Sequence, residues 1–255
     1  MTKNKLHKLL FISIYLLLAL RLVLFWKPIY IISIIIVLVI PSCINFLWLK
    51  NSRWPVFIFS LVSALLFAPP VELMARIVNV WDVQSIFYRP FGLVPIENMF
   101  FAFLNFFWVL SFYKYFIEND QTSIISKNFK YLIILYIIFD TLIYGLFFYN
   151  STLVGANYFT IAAIILIIPG VLLFSKNPTL IKKTLIPTIF FAILFFIYEI
   201  ISLKIGSWFW PGTYLLNLNI FGQKMPLDDI IIWYLMSTPV LIYGYKFFID
   251  DNKNL

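Results

Sequence analysis

Ile36-Val37-Leu38-Val39-Ile40-Pro41 is followed 128 residues later by Ile164-Ile165-Leu166-Ile167-Ile168-Pro169. Apolar matches alone arise by chance in so apolar a chain, so the surrounding residues carry the reading. Lys50-Asn51 recurs as Lys176-Asn177 at an offset of 126. Glu72 with Trp81 nine residues on recurs as Glu199 with Trp208 nine residues on, at 127. Phe91-Gly92-Leu93-Val94-Pro95-Ile96-Glu97-Asn98 recurs as Phe221-Gly222-Gln223-Lys224-Met225-Pro226-Leu227-Asp228-Asp229, at 130 to 131. Charged, Trp, Gly and Pro matches in one order at nearly one offset indicate an internal duplication. The first copy is expected over residues 1–127 and the second over 128–255.

Composition supplies the solvent for these copies. Of 255 residues, 63% are hydrophobic and 12% charged, against about 45–50% apolar in soluble domains. About 160 apolar side chains cannot be hidden behind 30 Asp, Glu, Lys and Arg, so most of the chain is expected in lipid. A helix needs about 20 apolar residues to cross the hydrocarbon core. Eight stretches qualify: Leu9–Trp26, Ile29–Leu49, Trp54–Ile77, Pro95–Phe116, Phe129–Tyr149, Asn157–Phe174, Thr184–Ile205 and Pro226–Ile249. They are continuously apolar, not alternating, which argues against a barrel. The expected fold is therefore an all-α integral membrane protein of eight transmembrane helices, arranged as two four-helix repeats. Four spans per repeat is an even number, so the two repeats are parallel, related by an axis along the membrane normal.

Lys3, Lys5 and Lys8 precede the first run as in a signal peptide, but no small-x-small cleavage site follows, so it reads as an uncleaved span. With the spans numbered by parity, thirteen Lys and Arg fall on the N-terminal face, Lys253 among them. Five, namely Lys27, Arg76, Arg89, Lys204 and Lys224, fall on the other. That asymmetry places both termini in the cytoplasm of a cell-membrane protein. The long aromatic segments Arg76–Val94 and Gly206–Met225 then face outward.

Several chemistries are excluded. One cysteine, Cys43, allows no disulfide framework or thiolate metal site. One histidine, His7, allows no histidine metal cluster or Ser-His-Asp triad. The net charge of +8 is topogenic, and no basic run is dense enough for nucleic acid. Eight scattered glycines form no dinucleotide fingerprint, so no cofactor is expected. Only Asp228-Asp229 resembles half of the paired Asp-rich Mg²⁺-diphosphate motifs that a prenyltransferase needs.

Acids inside spans are costly, by about 2.5–3.5 kcal/mol for Asp at a helix centre, yet scarce carboxylates occur there in register. Glu72 and Glu199 lie near the ends of the third and seventh spans. Glu97, Asp228 and Asp229 follow Pro95 and Pro226, where a helix's first turn favours an acid. First-turn capping alone is one reading of those three. Pairing with Arg76 and Lys204 is the corresponding reading of Glu72 and Glu199, and an interfacial belt that of Trp81 and Trp208. Asp140, in the fifth span, has no counterpart. The alternative is one polar cluster per repeat. A carboxylic acid kept protonated in a water-poor site can donate to a weak base, and aromatic faces stabilise a cation. Such a site fits carbocation chemistry on a membrane-dissolved hydrocarbon and, almost equally, proton-coupled transport.

At these residues the sequence resembles the lycopene cyclase domain family, whose marker is a Pro-x-Glu-Glu segment followed by Phe-Phe, with an upstream acid and a Trp-containing loop, in both repeats. Pro95-Ile96-Glu97-Asn98-Met99-Phe100-Phe101 matches except at Asn98, and Pro226-Leu227-Asp228-Asp229 matches in charge. The resemblance implies cyclisation of the linear ψ-ends of lycopene, or of a related long polyene, to β-ionone rings without cofactor or metal. It implies Asp228 or Asp229 as proton donor, Glu97 as accepting or orienting group, and Glu72 and Glu199 as groups that hold or recharge the donor. Trp81, Trp208, Asn98, Phe100, Phe101 and Trp233 would line the substrate. A homo-oligomer is compatible with this, as is a cyclase of another long isoprenoid. The rival, a proton-coupled or lipid carrier, needs a polar path to both faces; the acids gather at the outer ends, and the cytoplasmic halves read as almost purely apolar.

Overall fold

A computed structural model describes residues 2–249 and is mostly helical, 73%. Lys253 lies outside the described residues. Eight helices are long and apolar enough to cross a membrane: α1 Lys3–Trp26, α2 Tyr30–Trp48, α3 Arg53–Ile77, α4 Ile96–Ile117, α5 Phe129–Tyr149, α6 Tyr158–Lys176, α7 Leu180–Lys204 and α8 Asp229–Phe248. At 19 to 25 residues and about 1.5 Å per residue, each matches the roughly 30 Å hydrocarbon core. The boundaries shift from the sequence expectation most at α1 and α7, which start six and four residues earlier, and α8 starts three later. Leu10, Leu17 and Leu18 of α1 and Ile134, Ile138 and Leu142 of α5 stay exposed, an apolar belt that a bilayer would cover. The closest packing pairs α3 with α4 and α7 with α8.

The duplicated apolar stretch has a local consequence. Residues Ile35–Val39 in α2 and Ala163–Ile167 in α6 widen to a π-helical turn. Each lies just before a proline, Pro41 or Pro169, whose missing N–H breaks the regular hydrogen-bond ladder.

Helices α3 and α7 end alike. Asn79 and Gly206 take left-handed φ values of 52° and 76°. Val80 N–H then donates to Ala75 O at 2.8 Å and Ser207 N–H to Ser202 O at 2.8 Å. This is the 6→1 bond of a Schellman stop, where a residue without Cβ strain, or Asn, is favoured. Both stops throw the chain into the long aromatic loops, which are not wholly irregular as an all-α reading requires. Strand β1 (Asp82–Val83) pairs antiparallel with β2 (Trp208–Phe209), Asp82 opposite Phe209 and Val83 opposite Trp208. Strands β3 (Asn217–Ile220) and β4 (Gln223–Pro226) form a hairpin about Phe221 and Gly222, both at positive φ, the requirement of a type I′ turn. Short ladders satisfy backbone groups that a loop packed among apolar side chains would leave unpaired. Pro226 therefore closes a strand instead of opening α8.

Candidate functional site

The β1–β2 ladder draws the two long loops together above the ends of α3, α4, α7 and α8. Two further contacts hold them. Tyr214 Oη donates to Val80 O and accepts from Gly212 N at 2.9 Å. Burial pushes the Tyr214 hydroxyl up to about 12, against the lowering bond from Gly212. Gly212 itself lies so close to the first loop that a Cβ there would meet Val80 Cα at 2.9 Å. Within the first loop, Arg76 donates to Trp81 O at 2.5 Å and to Leu93 O at 3.2 Å, and pairs with Asp82. Burial pushes the Asp82 carboxyl up, but its hydrogen bond and ion pair with Arg76 outweigh this and leave it below the ordinary value.

Beneath the joined loops lies a cavity of about 110 Å³. Its polar wall contains Glu72, Glu199 and Asp229 with Asn98, and its aromatic wall includes Trp81, Trp208, Trp210, Tyr158 and Trp233. Residues of both halves of the chain therefore meet in one site. No Lys, Arg or His is among the lining residues.

Each acid is held in a definite way. Glu72 Oε1 accepts from Trp81 Nε1 at 3.0 Å and from Asn98 Nδ2 at 2.9 Å, while Oε2 has no donor. The ion pair with Arg76 expected as an alternative is not formed, because Arg76 is engaged by Asp82 and two carbonyls. Lys204 is exposed and makes no ion pair with Glu199 among the described residues. Instead Glu199 accepts from Trp210 Nε1 at 2.5 Å and from the Tyr234 hydroxyl. Asp229 Oδ1 accepts from Tyr158 Oη at 2.5 Å, and its carboxyl lies within hydrogen-bonding reach of that of Glu199.

Of the expected site residues, Glu72, Glu199, Asp229, Trp81, Trp208, Asn98, Phe101 and Trp233 line this cavity. Glu97, Asp228 and Phe100 do not. Glu97 accepts from Ser85 Oγ at 2.7 Å, Ile86 N at 2.7 Å and Phe87 N at 3.0 Å, so it ties down the first loop. Asp228 accepts from Leu215 N at 3.1 Å and braces the second. Phe100 turns outward, 36% exposed. Trp81 is 6% exposed, too enclosed for a belt residue. Trp208, the sequence counterpart of Trp81, leaves its Nε1 unpartnered, and Trp210 makes the bond to the acid.

Sequence reasoning missed Trp210, Tyr158, Tyr234 and Asn105. A signal existed for Tyr158, which stands 128 residues after Tyr30, the offset of the apolar repeat. The two tyrosines exchange partners across the site: Tyr30 packs edge-on to Trp208 at 6.1 Å and Tyr158 to Trp81 at 6.0 Å. A second missed match is Tyr113-Lys114-Tyr115-Phe116-Ile117 with Tyr245-Lys246-Phe247-Phe248-Ile249, at 132. It places a buried ionic cluster at the other end of the bundle, where Glu118 meets Lys114 Nζ at 2.7 Å and Lys246 Nζ at 2.8 Å. The expectation of almost purely apolar halves at that end is therefore corrected. Fully buried Trp108, Phe112 and Phe191 lie at the level between this cluster and the cavity.

Comparison with family models, with curated proteins and with solved structures finds no match to this chain.

Proposed function

We propose that the chain is an integral-membrane cyclase that closes the ψ-ends of lycopene, or of a closely related polyene, into β-ionone rings. One observation carries this reading: three carboxyl groups, Glu72, Glu199 and Asp229, face one aromatic cavity whose wall has no cationic side chain. Two carboxyls in contact in an apolar site hold a proton between them, since two adjacent anions repel. Asp229, in contact with Glu199, is the donor in this scheme. Its proton adds to the terminal double bond, the neighbouring double bond attacks the resulting tertiary cation, and the ring closes. The faces of Trp81, Trp210 and Tyr158 stabilise the ring cation through their quadrupoles. Glu72, with a free Oε2, takes the ring proton and restores a double bond. One proton enters and one leaves, no electrons are exchanged, and the product is an isomer.

The duplicated pattern supports two parallel four-helix repeats with the site between them. The Lys and Arg asymmetry supports cytoplasmic termini in the cell membrane, with the aromatic loops outside. A carrier needs a polar route from the cavity to the Glu118 cluster, and Trp108, Phe112 and Phe191 fill that level. The test is coexpression in a lycopene-accumulating host with pigment analysis. Ring-bearing carotenoid is the expected product; unchanged lycopene with the protein inserted in the membrane would refute the reading.

A further inference from the structure

Three asparagines are buried within the spans. Asn45 donates to Ser111 O at 3.2 Å and Asn98 to Glu72 at 2.9 Å. Asn105, 6% exposed, makes no hydrogen bond with the described residues and lines the cavity. Asn98, Phe101, Ala102, Asn105 and Phe106 all line the cavity, the i, i+3, i+4, i+7, i+8 positions of one helix face. Seven residues at about 1.5 Å each put Asn105 about 10 Å along α4 from Asn98, which donates to Glu72. Phe67, Phe106 and Phe195 also line the cavity. An amide left without a partner in such surroundings is costly, and a hydrocarbon cannot offer one.

We infer that the cavity's preferred substrate is a linear isoprenoid carrying a hydroxyl or carbonyl oxygen about 10 Å from the reacting double bond, and that Asn105 recognises this oxygen. The amide suits either group, because Nδ2 donates to a carbonyl and Oδ1 accepts from a hydroxyl. The inference rests on the reading of this cavity as the substrate site, and it adds a preference for an oxygenated isoprenoid over lycopene, which binds there without this contact. Asn105 is a specificity residue here and takes no part in proton transfer.

The experiment uses the full chain in lipid nanodiscs. The probes are linear isoprenoid aldehydes with one common unsaturated end and the carbonyl at increasing distance, beside hydrocarbons of matched length. Binding is read from quenching of tryptophan fluorescence, without turnover. The expected result is a preference for the aldehyde with about 10 Å spacing, at least about fivefold over the hydrocarbon, as one net hydrogen bond provides. Asn105→Leu removes the preference for the aldehyde over the hydrocarbon. Asn105→Gln, whose amide reaches one carbon further, shifts the preferred spacing and carries the test if the leucine variant does not accumulate. Equal binding of aldehydes and hydrocarbons, or a preference that survives Asn105→Leu, overturns the inference. Lycopene conversion in the same preparation separates the two claims. Aldehyde preference without ring formation counts against the cyclase and supports the Asn105 assignment; ring formation without aldehyde preference does the reverse.

Discussion

Glu118→Gln should destabilise the protein by about 3–5 kcal/mol at neutral pH, the cost of breaking a buried ion pair from one side. Glu118 is 7% exposed, Lys114 0% and Lys246 5%. At 2.7 and 2.8 Å, each contact has a gross attraction of roughly 6 kcal/mol at an effective dielectric of 20. Desolvation of three charges offsets most of that, but the variant keeps the desolvation of both lysines and loses the anion between them. Burial pushes the Glu118 carboxyl up, while the charges and hydrogen bonds of Lys114 and Lys246 outweigh this and hold it below its ordinary value. A depressed folded value means the stabilisation is complete above the unfolded value near 4.3 and is lost as pH falls through the folded one. Equilibrium unfolding of the micellar protein, titrated with a denaturing detergent between pH 7 and pH 3, measures both effects. The difference between wild type and variant should be largest at neutral pH and shrink below about pH 4.3. A variant within about 1 kcal/mol of wild type at pH 7, the value of an exposed pair, would refute the reasoning.

Three other outcomes follow from the site. Trp210→Phe strips Glu199 of a donor and should cost about 1.5–3 kcal/mol in the same unfolding measurement, whereas Trp208→Phe removes an N–H with no partner and should cost less. Gly212→Ala forces a Cβ against the Val80 backbone and should cost about 1–3 kcal/mol; crosslinking of the two long loops through engineered cysteines would report their separation. Glu97→Gln keeps an oxygen for the Ile86 and Phe87 N–H groups and should retain pigment conversion, while Asp229→Asn, on the cavity wall, should lose about 10²–10⁴-fold.

The spans were legible because length and apolarity alone set them. The cavity acids were legible because carboxylates are so scarce that Glu72, Glu199 and Asp229 stood out in register. Residues abundant in the chain were not legible. With 15 Tyr and 8 Trp, nothing in the pattern separates Tyr158, Tyr234 or Trp210 from side chains that merely fill space. Glu97 and Asp228 share the motif with Asn98 and Asp229, yet one turns to the loop backbone and the other to the cavity. That division depends on where a Schellman stop and a short ladder set the loops, which adjacent positions in a sequence do not encode. Asn105 was readable in principle from its seven-residue spacing after Asn98, once the cavity-facing side of α4 is known.

The most direct test of proton-initiated cyclisation is turnover of lycopene by the nanodisc-embedded protein in heavy water, with mass analysis of the product. One deuteron per ring formed, and none in the presence of Asp229→Asn protein alone, is the expected result. Rings formed without deuterium, or equal ring formation by the Asp229→Asn variant, would contradict the account.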